Sequence, residues 1–345
     1  MRQNYSSSIF RQAGLSLVEI MIALTIGLMI IGGVGYLYLG SRQAFRTQDN
    51  LTAIQENARF ALETMTHDIR MAGYMGCGNL SAVTPHILAQ NISAVSYATA
   101  VQVFPGGAGW TPPATITLKP NTDVLRISRA AGGGVNGTVP GGGNGSTLQI
   151  SSNPYNFKKN DVLLVSDCSS ADVFAVTNAT SGGTTLTIGA SNNVQPNKFS
   201  TAYGAGPPPA QVFKFYQTDY FIGCPSASYS GGKCSVPWAL YQSVNGTPNP
   251  LIDNVEDVAY DLGVNATGAN PQAVTTYLAP NQVTNWAQVL SVQIHLLLVG
   301  AASGDSDANV VGTPQLLTFN NAPWAAPDNR LYQEAVATVA IRNRL

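Results

Sequence analysis

Charge is scarce in this chain. Its 17 Lys and Arg stand against 18 Asp and Glu, which makes 10% of 345 residues charged and leaves a formal net charge of -1; soluble domains average about 25% charged. That balance excludes a nucleic-acid binder driven by bulk positive charge. Three histidines leave little for metal or acid-base chemistry. No G-x-S-x-G, P-loop or H-E-x-x-H context accompanies the plentiful serines, so neither an enzyme nor a cofactor is expected. Four cysteines, an even number, fit two disulfides in an oxidising compartment, and no C-x-x-C or paired histidine beside them suggests zinc. Against these shortages stand 34 Gly, 20 Pro and 45% hydrophobic residues, a composition that suits a secreted, strand-rich surface protein with a core to bury.

The apolar residues are concentrated at the start. A polar stretch from Met1 to Gly14 carries Arg2 and Arg11 and leads into a nearly unbroken apolar run from Leu15 to Leu39. About 25 residues at about 1.5 Å each are enough to cross a hydrocarbon core. An ordinary secretory signal has a shorter apolar region with its small-residue cleavage site behind it; here the junction lies in front, and no cysteine follows it as in a lipoprotein. The span contains one charge, Glu19. An ionisable group at such a place either snorkels to water at a membrane face or has a function.

The residues around Glu19 favour function. Ala13-Gly14-Leu15-Ser16-Leu17-Val18-Glu19-Ile20-Met21-Ile22-Ala23-Leu24 resembles the processing motif of type IV prepilins: a short basic leader ending in Gly, an apolar residue, and Glu at the fifth mature position. The chain is similar to minor pilins of the PilW family. The resemblance implies that prepilin peptidase cuts after Gly14, that Leu15 becomes the N-methylated terminus, and that Glu19 is the assembly carboxylate, pairing with the α-amino group of a neighbouring subunit. Two groups expensive in lipid then neutralise each other only in register, which specifies alignment more than it adds stability. Most pilins begin with Phe where Leu15 stands, and major pilins often have a proline midway through the span, where this chain has Gly27, Gly32, Gly33 and Gly35. These glycines either let the helix bend or let helices pack closely. Arg42 and Arg46 follow the span, so charge alone does not orient it; the leader motif places the N-terminus in the cytoplasm.

Beyond the span, Leu51, Ile54, Ala58, Ala61, Leu62, Met65, Ile69 and Ala72 recur at helical spacing. Asp49, Glu56, Arg59, Glu63, His67, Asp68 and Arg70 form the polar side, and Gly73 is a C-terminal stop. One helix from about Leu15 to Ala72 would be about 87 Å long. The remainder reads as strands: Asp123 to Arg129, Val162 to Val165, Val173 to Val176, Thr184 to Ile188, Gln211 to Tyr220, Val258 to Val264, Val289 to Val299 and Ala335 to Arg342. Gly132 to Gly134 and Gly141 to Gly145 read as flexible surface loops, and Pro207 to Pro209 as a stiff connector. The fold class is therefore α+β, a pilin-like lollipop in which a long N-terminal helix packs on a predominantly antiparallel β-sheet. Its segments are a leader (1–14), a transmembrane half-helix (15–40), an amphipathic half-helix (41–73) and a β-rich globular domain (74–345). Leu251 to Val258 leading into a strand, then Val289 to Val299, then a closing strand ending Ala340-Ile341-Arg342-Asn343, is an order similar to PilW-like minor pilins and the related minor pseudopilins of type II secretion.

Four cysteines allow three pairings. Cys77 follows the helix, Cys168 follows a strand, and Cys224 and Cys234 flank a short loop, so the expected bonds are Cys77 with Cys168 and Cys224 with Cys234. Asp305-Ser306-Asp307-Ala308-Asn309 resembles the opening of a calcium loop, but Val310 and Leu316 stand where an EF-hand needs Gly and Glu; a solvated loop fits better. His67, His86 and His295 are isolated in sequence. Trp110, Tyr229, Trp238, Trp286 and Trp324 are either packed or part of a recognition surface. The resemblance implies a minor pilin that helps prime type IV pilus assembly and enters the pilus or its tip. It would be held first in the inner membrane with its globular domain periplasmic. Its partners would be prepilin peptidase, other minor pilins, the major pilin, the inner-membrane assembly platform and a tip adhesin. The alternatives are an adhesin or binding module displayed on the filament, and a minor pseudopilin of type II secretion.

Overall fold

The computed structural model describes residues 16–344 except 77, 81–82, 142–144, 179–181, 205, 267–272 and 301–310. Gly14, Leu15, Cys77 and the Asp305 to Asn309 segment therefore lie outside the described residues, as does most of the Gly141 to Gly145 segment. The chain is α+β, with one long helix and mostly antiparallel strands. It divides into two compact units, residues 1–49 and residues 50–345.

Helix α1 runs unbroken over Leu17–Arg70. Its Asn50 to Arg70 part belongs to the second unit and buries Ile54, Ala58, Ala61, Met65, Asp68 and Ile69. Gly73, at φ 76°, ends it as only a residue free of a Cβ does easily, and its N–H donates to the Ser128 carbonyl.

The larger sheet is organised on two 15-residue strands, β2 (Val124–Thr138) and β7 (Gln211–Pro225), which pair antiparallel from Leu125 opposite Tyr220 to Asn136 opposite Gln211. Near one end β1 (Val101–Phe104) pairs with β2, and β8 (Ala239–Val244) with β7, with β9 (Thr247–Asp253) beyond it. At the other end β3 (Thr147–Ile150), β4 (Val162–Ser166), β5 (Ala171–Ala175) and β6 (Thr185–Thr187) form a second lobe. Only the two-residue strand His86–Ile87 pairs parallel among the described residues. A separate four-stranded sheet has the order β11 (Thr276–Leu278), β10 (Val255–Val264), β12 (Val289–Val299), β13 (Tyr332–Ala340).

The glycine-rich stretch expected as a surface loop is part of a strand. Gly132 to Gly134 lie within β2, where the register slips: Val135 faces Val212, but Ala131 faces Lys214. The resulting bulge brings backbone against large side chains. A Cβ on Gly134 would stand 2.7 Å from the Phe213 ring, and one on Gly133 2.0 Å from the Tyr155 hydroxyl oxygen. The glycines mark close approach rather than mobility.

One core cluster joins three layers. The helix stripe packs with Leu125, Tyr220 and Ile222 of the larger sheet and with Val258, Tyr260, Ile294 and Leu296 of the smaller. A second cluster, containing Phe157, Leu163, Phe174, Phe199 and Val212, fills the other lobe without any helix.

Candidate assembly surface and its anchorage

The N-terminal half of α1 presents its apolar residues to the outside. Leu17 is 74% exposed, Met29 79% and Tyr36 80%, and the helix is long and apolar enough, by length and composition, to cross a membrane. The Ser16 carbonyl accepts from the N–H groups of Glu19 and Ile20 and so opens the first turn. Glu19 lies in that turn, where the positive end of the helix dipole favours a carboxylate. Thr25 returns its hydroxyl to the Met21 and Ile22 carbonyls, so it adds no unpaired donor to the apolar surface. A Cβ on Gly27, Gly32, Gly33 or Gly35 would meet nothing within 4 Å. The helix continues through all four without unwinding.

Where α1 seats in the globular unit, Asp68 corrects the sequence reading. Assigned to the polar side, it is in fact 4% exposed. Its carboxylate accepts from Arg129 Nη2 of β2 at 2.6 Å, the Tyr220 hydroxyl of β7 at 2.8 Å and Gln242 Nε2 of β8 at 3.3 Å. Three strands thus grip one helical carboxylate. Gln242 stands opposite Tyr220 in register and also donates to its hydroxyl at 2.8 Å. Burial, reinforced by the Asp68 charge, pushes the Tyr220 hydroxyl well above its usual range. A signal for this existed: Ile54, Ala58, Ala61, Met65, Asp68 and Ala72 step by four and three, the spacing of a buried seam, and Asp68 stands in it. His67 next to it stays exposed, as expected.

The end of the helix is held from far along the chain. Asn343 Nδ2 donates to the Ala72 carbonyl at 2.9 Å. Arg344 is buried and donates to the carbonyls of Trp286 (2.7 Å), Val289 (2.9 Å), Ala98 and Tyr97. Burial lowers its pKa to about 10. Sequence reasoning missed both residues.

Two further buried carboxylates organise the sheets. Asp219 takes a two-pronged contact from Arg126, its register partner, and accepts the Trp110 indole N–H at 3.0 Å. Asp172 accepts from His86, Ser200 and Tyr203 in the helix-free lobe. His295 is an interior group, its Nδ1 2.7 Å from Glu334. Cys224 and Cys234 are bonded to each other. Cys168 is disulfide-bonded too; its expected partner, Cys77, lies outside the described residues. Trp110 packs on Phe221, Tyr229 on Trp238, and Trp324 on Tyr332. Among the described residues no group of three or more His, Cys, Asp or Glu is placed to hold a metal.

A family model described as Type IV Pilus-assembly protein W matches residues 231–343. That range contains β8, β9 and the whole four-stranded sheet, one of the two sheets against which the second half of α1 packs. No curated protein and no solved structure matches the chain.

Proposed function

We propose that this chain is a minor pilin that helps prime type IV pilus assembly and is incorporated into the pilus or its tip. One observation carries the reading: a helix whose first half offers an unpartnered apolar surface with a carboxylate in its first turn is seated by its second half on the sheet that resembles a pilus-assembly family. In this reading prepilin peptidase cuts after Gly14, Leu15 is methylated, and Glu19 meets the α-amino group of a neighbour. The span from Leu15 to Leu39 holds the subunit in the inner membrane, with its globular unit periplasmic, until assembly draws it into the filament beside other minor pilins and the major pilin. Cys77 with Cys168 tethers the segment after the helix to the helix-free lobe. The packing of Trp110, Trp238 and Trp324 on neighbouring rings supports a structural subunit over a displayed adhesin.

Intact-mass spectrometry of the protein from membranes and from sheared surface filaments of the native host tests this. A species beginning at N-methylated Leu15 in the filament fraction is expected; an uncut chain in every fraction overturns the reading. Glu19→Ala is expected to be cut normally but incorporated at least tenfold less, and full incorporation would remove the role assigned to that carboxylate.

A further inference from the structure

The smaller sheet is covered on both faces. Ile294 and Leu296 of β12 pack with the helix stripe, while Leu297 and Val299 pack with Phe319 and Trp324 of a hairpin, Leu316–Phe319 and Ala322–Ala325. Alternation along β12 puts His295 on the hairpin side. Its side chain is 4% exposed. Glu334 of β13 accepts from Nδ1 at 2.7 Å and also from the Asn320 N–H at the hairpin turn, which leaves the imidazole lone pair on Nε2. That nitrogen is buried and has no hydrogen-bond partner among the described residues. It stands 3.5 Å from Oδ2 of Asp261 on β10, and the same oxygen stands 3.4 Å from the Asn321 amide nitrogen. Both separations exceed a good hydrogen bond, about 2.7 to 3.2 Å. Both match the edge of a tetrahedron whose corners lie about 2.1 Å from a zinc ion, about 3.4 Å.

We infer that His295 Nε2, Asp261 Oδ2 and the side-chain oxygen of Asn321 bind a zinc ion, with Glu334 behind the imidazole to fix its tautomer. The Asn321 amide turns over to do so, bringing its oxygen to where its nitrogen lies. Charge agrees with geometry. Asp261 and Glu334 are largely buried, and among the described residues neither has a lysine or arginine within ion-pair reach; buried carboxylates are paired or hold metals. An imidazolium would answer Asp261 only through an Nε2–H, for which 3.5 Å is too far. A carboxylate behind a histidine is how metal-binding imidazoles are commonly held. One nitrogen and two oxygen ligands suit zinc, whereas calcium and magnesium take oxygen alone. Water fills the fourth position. The ion ties the hairpin turn to β10 and β12. None of these residues lies on α1, so the inference stands apart from the assembly reading.

Full-length protein without a histidine tag is purified in detergent, stripped with EDTA and brought to equilibrium dialysis against zinc or calcium, and the bound metal is measured by elemental mass spectrometry. Zinc is expected to bind and to raise the thermal melt, and calcium to do neither. His295→Gln is expected to abolish this binding, and Asp261→Asn and Glu334→Gln to weaken it at least tenfold. A change at a buried residue can also disturb the fold, so Asn321→Ala at the exposed turn is the second test: zinc binding at least tenfold weaker, with the melt of the zinc-free protein unchanged. His67→Gln, on the exposed side of α1, is expected to leave zinc binding as it was. No zinc bound beyond that of His295→Gln, binding as tight in Asn321→Ala as in the parent, calcium bound in place of zinc, or binding lost with His67→Gln would each overturn the inference.

Discussion

The two lobes of the globular unit solve the same burial problem with different means. One closes its core with a helix: the stripe from Ile54 to Ala72 fills the space between two sheets, and Asp68 and Asn343 tie it at strands remote in sequence. The other has no helix. It closes with short strands and aromatic side chains, Phe174 edge-on to Phe199 and Phe199 edge-on to Tyr203, around the buried Asp172. The first lobe is thus open to whatever acts on the helix, while the second is self-contained, and the family match falls on strands of the first.

The sharpest way to break this contrast is Asp68→Ala, which leaves the half-buried Arg129 without its carboxylate. A loss of about 3 to 5 kcal/mol is expected, with hydrogen exchange rising along α1 and β10 but not in β4 and β5; uniform exchange would show that the lobes do not behave separately. Asp172→Ala is the mirror experiment. It strands the Tyr203 hydroxyl and the Ser200 donors and should cost about 2 to 4 kcal/mol, with exchange rising in β5 and the helix still protected.

Asp257 gives a smaller, pH-dependent effect confined to the helix-bearing lobe. Burial raises its pKa from 3.8 to about 6, offset in part by the Val258 N–H and Lys119 and reinforced by Asp123 and Glu256. A carboxyl that holds its proton more tightly when folded adds stability at low pH that is lost as pH rises through about 6. Asp257→Asn should therefore stabilise by about 1 to 2 kcal/mol at pH 7.5 and by almost nothing at pH 4, as thermal melts at the two pH values would show. Least of all, Phe60→Ser on the exposed outer face of α1 should change stability by no more than about 0.5 kcal/mol; a larger loss would mean that this face is already packed in the isolated subunit.

Helical spacing made α1 legible in the sequence, and a run of β-branched and leucine residues marked Val289 to Val299 to the residue, because both patterns repeat over many positions. The division into two sheets was not legible, since a strand's own pattern does not say which neighbour it pairs with. Gly132 to Gly134 misled because glycine serves turns and tight packing alike, and only Tyr155 and Phe213 opposite reveal which. Asp68 misled for the converse reason: a carboxylate is read as solvated until Arg129, Tyr220 and Gln242 are brought to it by strands between 61 and 174 residues away. The strand β7 ran past its expected end at Tyr220 to Pro225, where Ile116–Leu118 and the disulfide at Cys224 hold it.

The hydrogen bond from Asn343 to Ala72 joins residues 271 positions apart, and this has a consequence for the order of synthesis. The helix leaves the ribosome early, yet β12, β13 and Asn343, which seat it, follow far later. Until β10 and β12 are made the Ile54 to Ala72 seam lacks one of the two sheets it rests on, whereas β4 and β5 can meet within a few residues of each other. The segment made first is tied down last, so a nascent chain stalled before β13 would carry a finished helix-free lobe and a helix still lacking Val339, Ile341 and Asn343, the form a chaperone would be called on to hold.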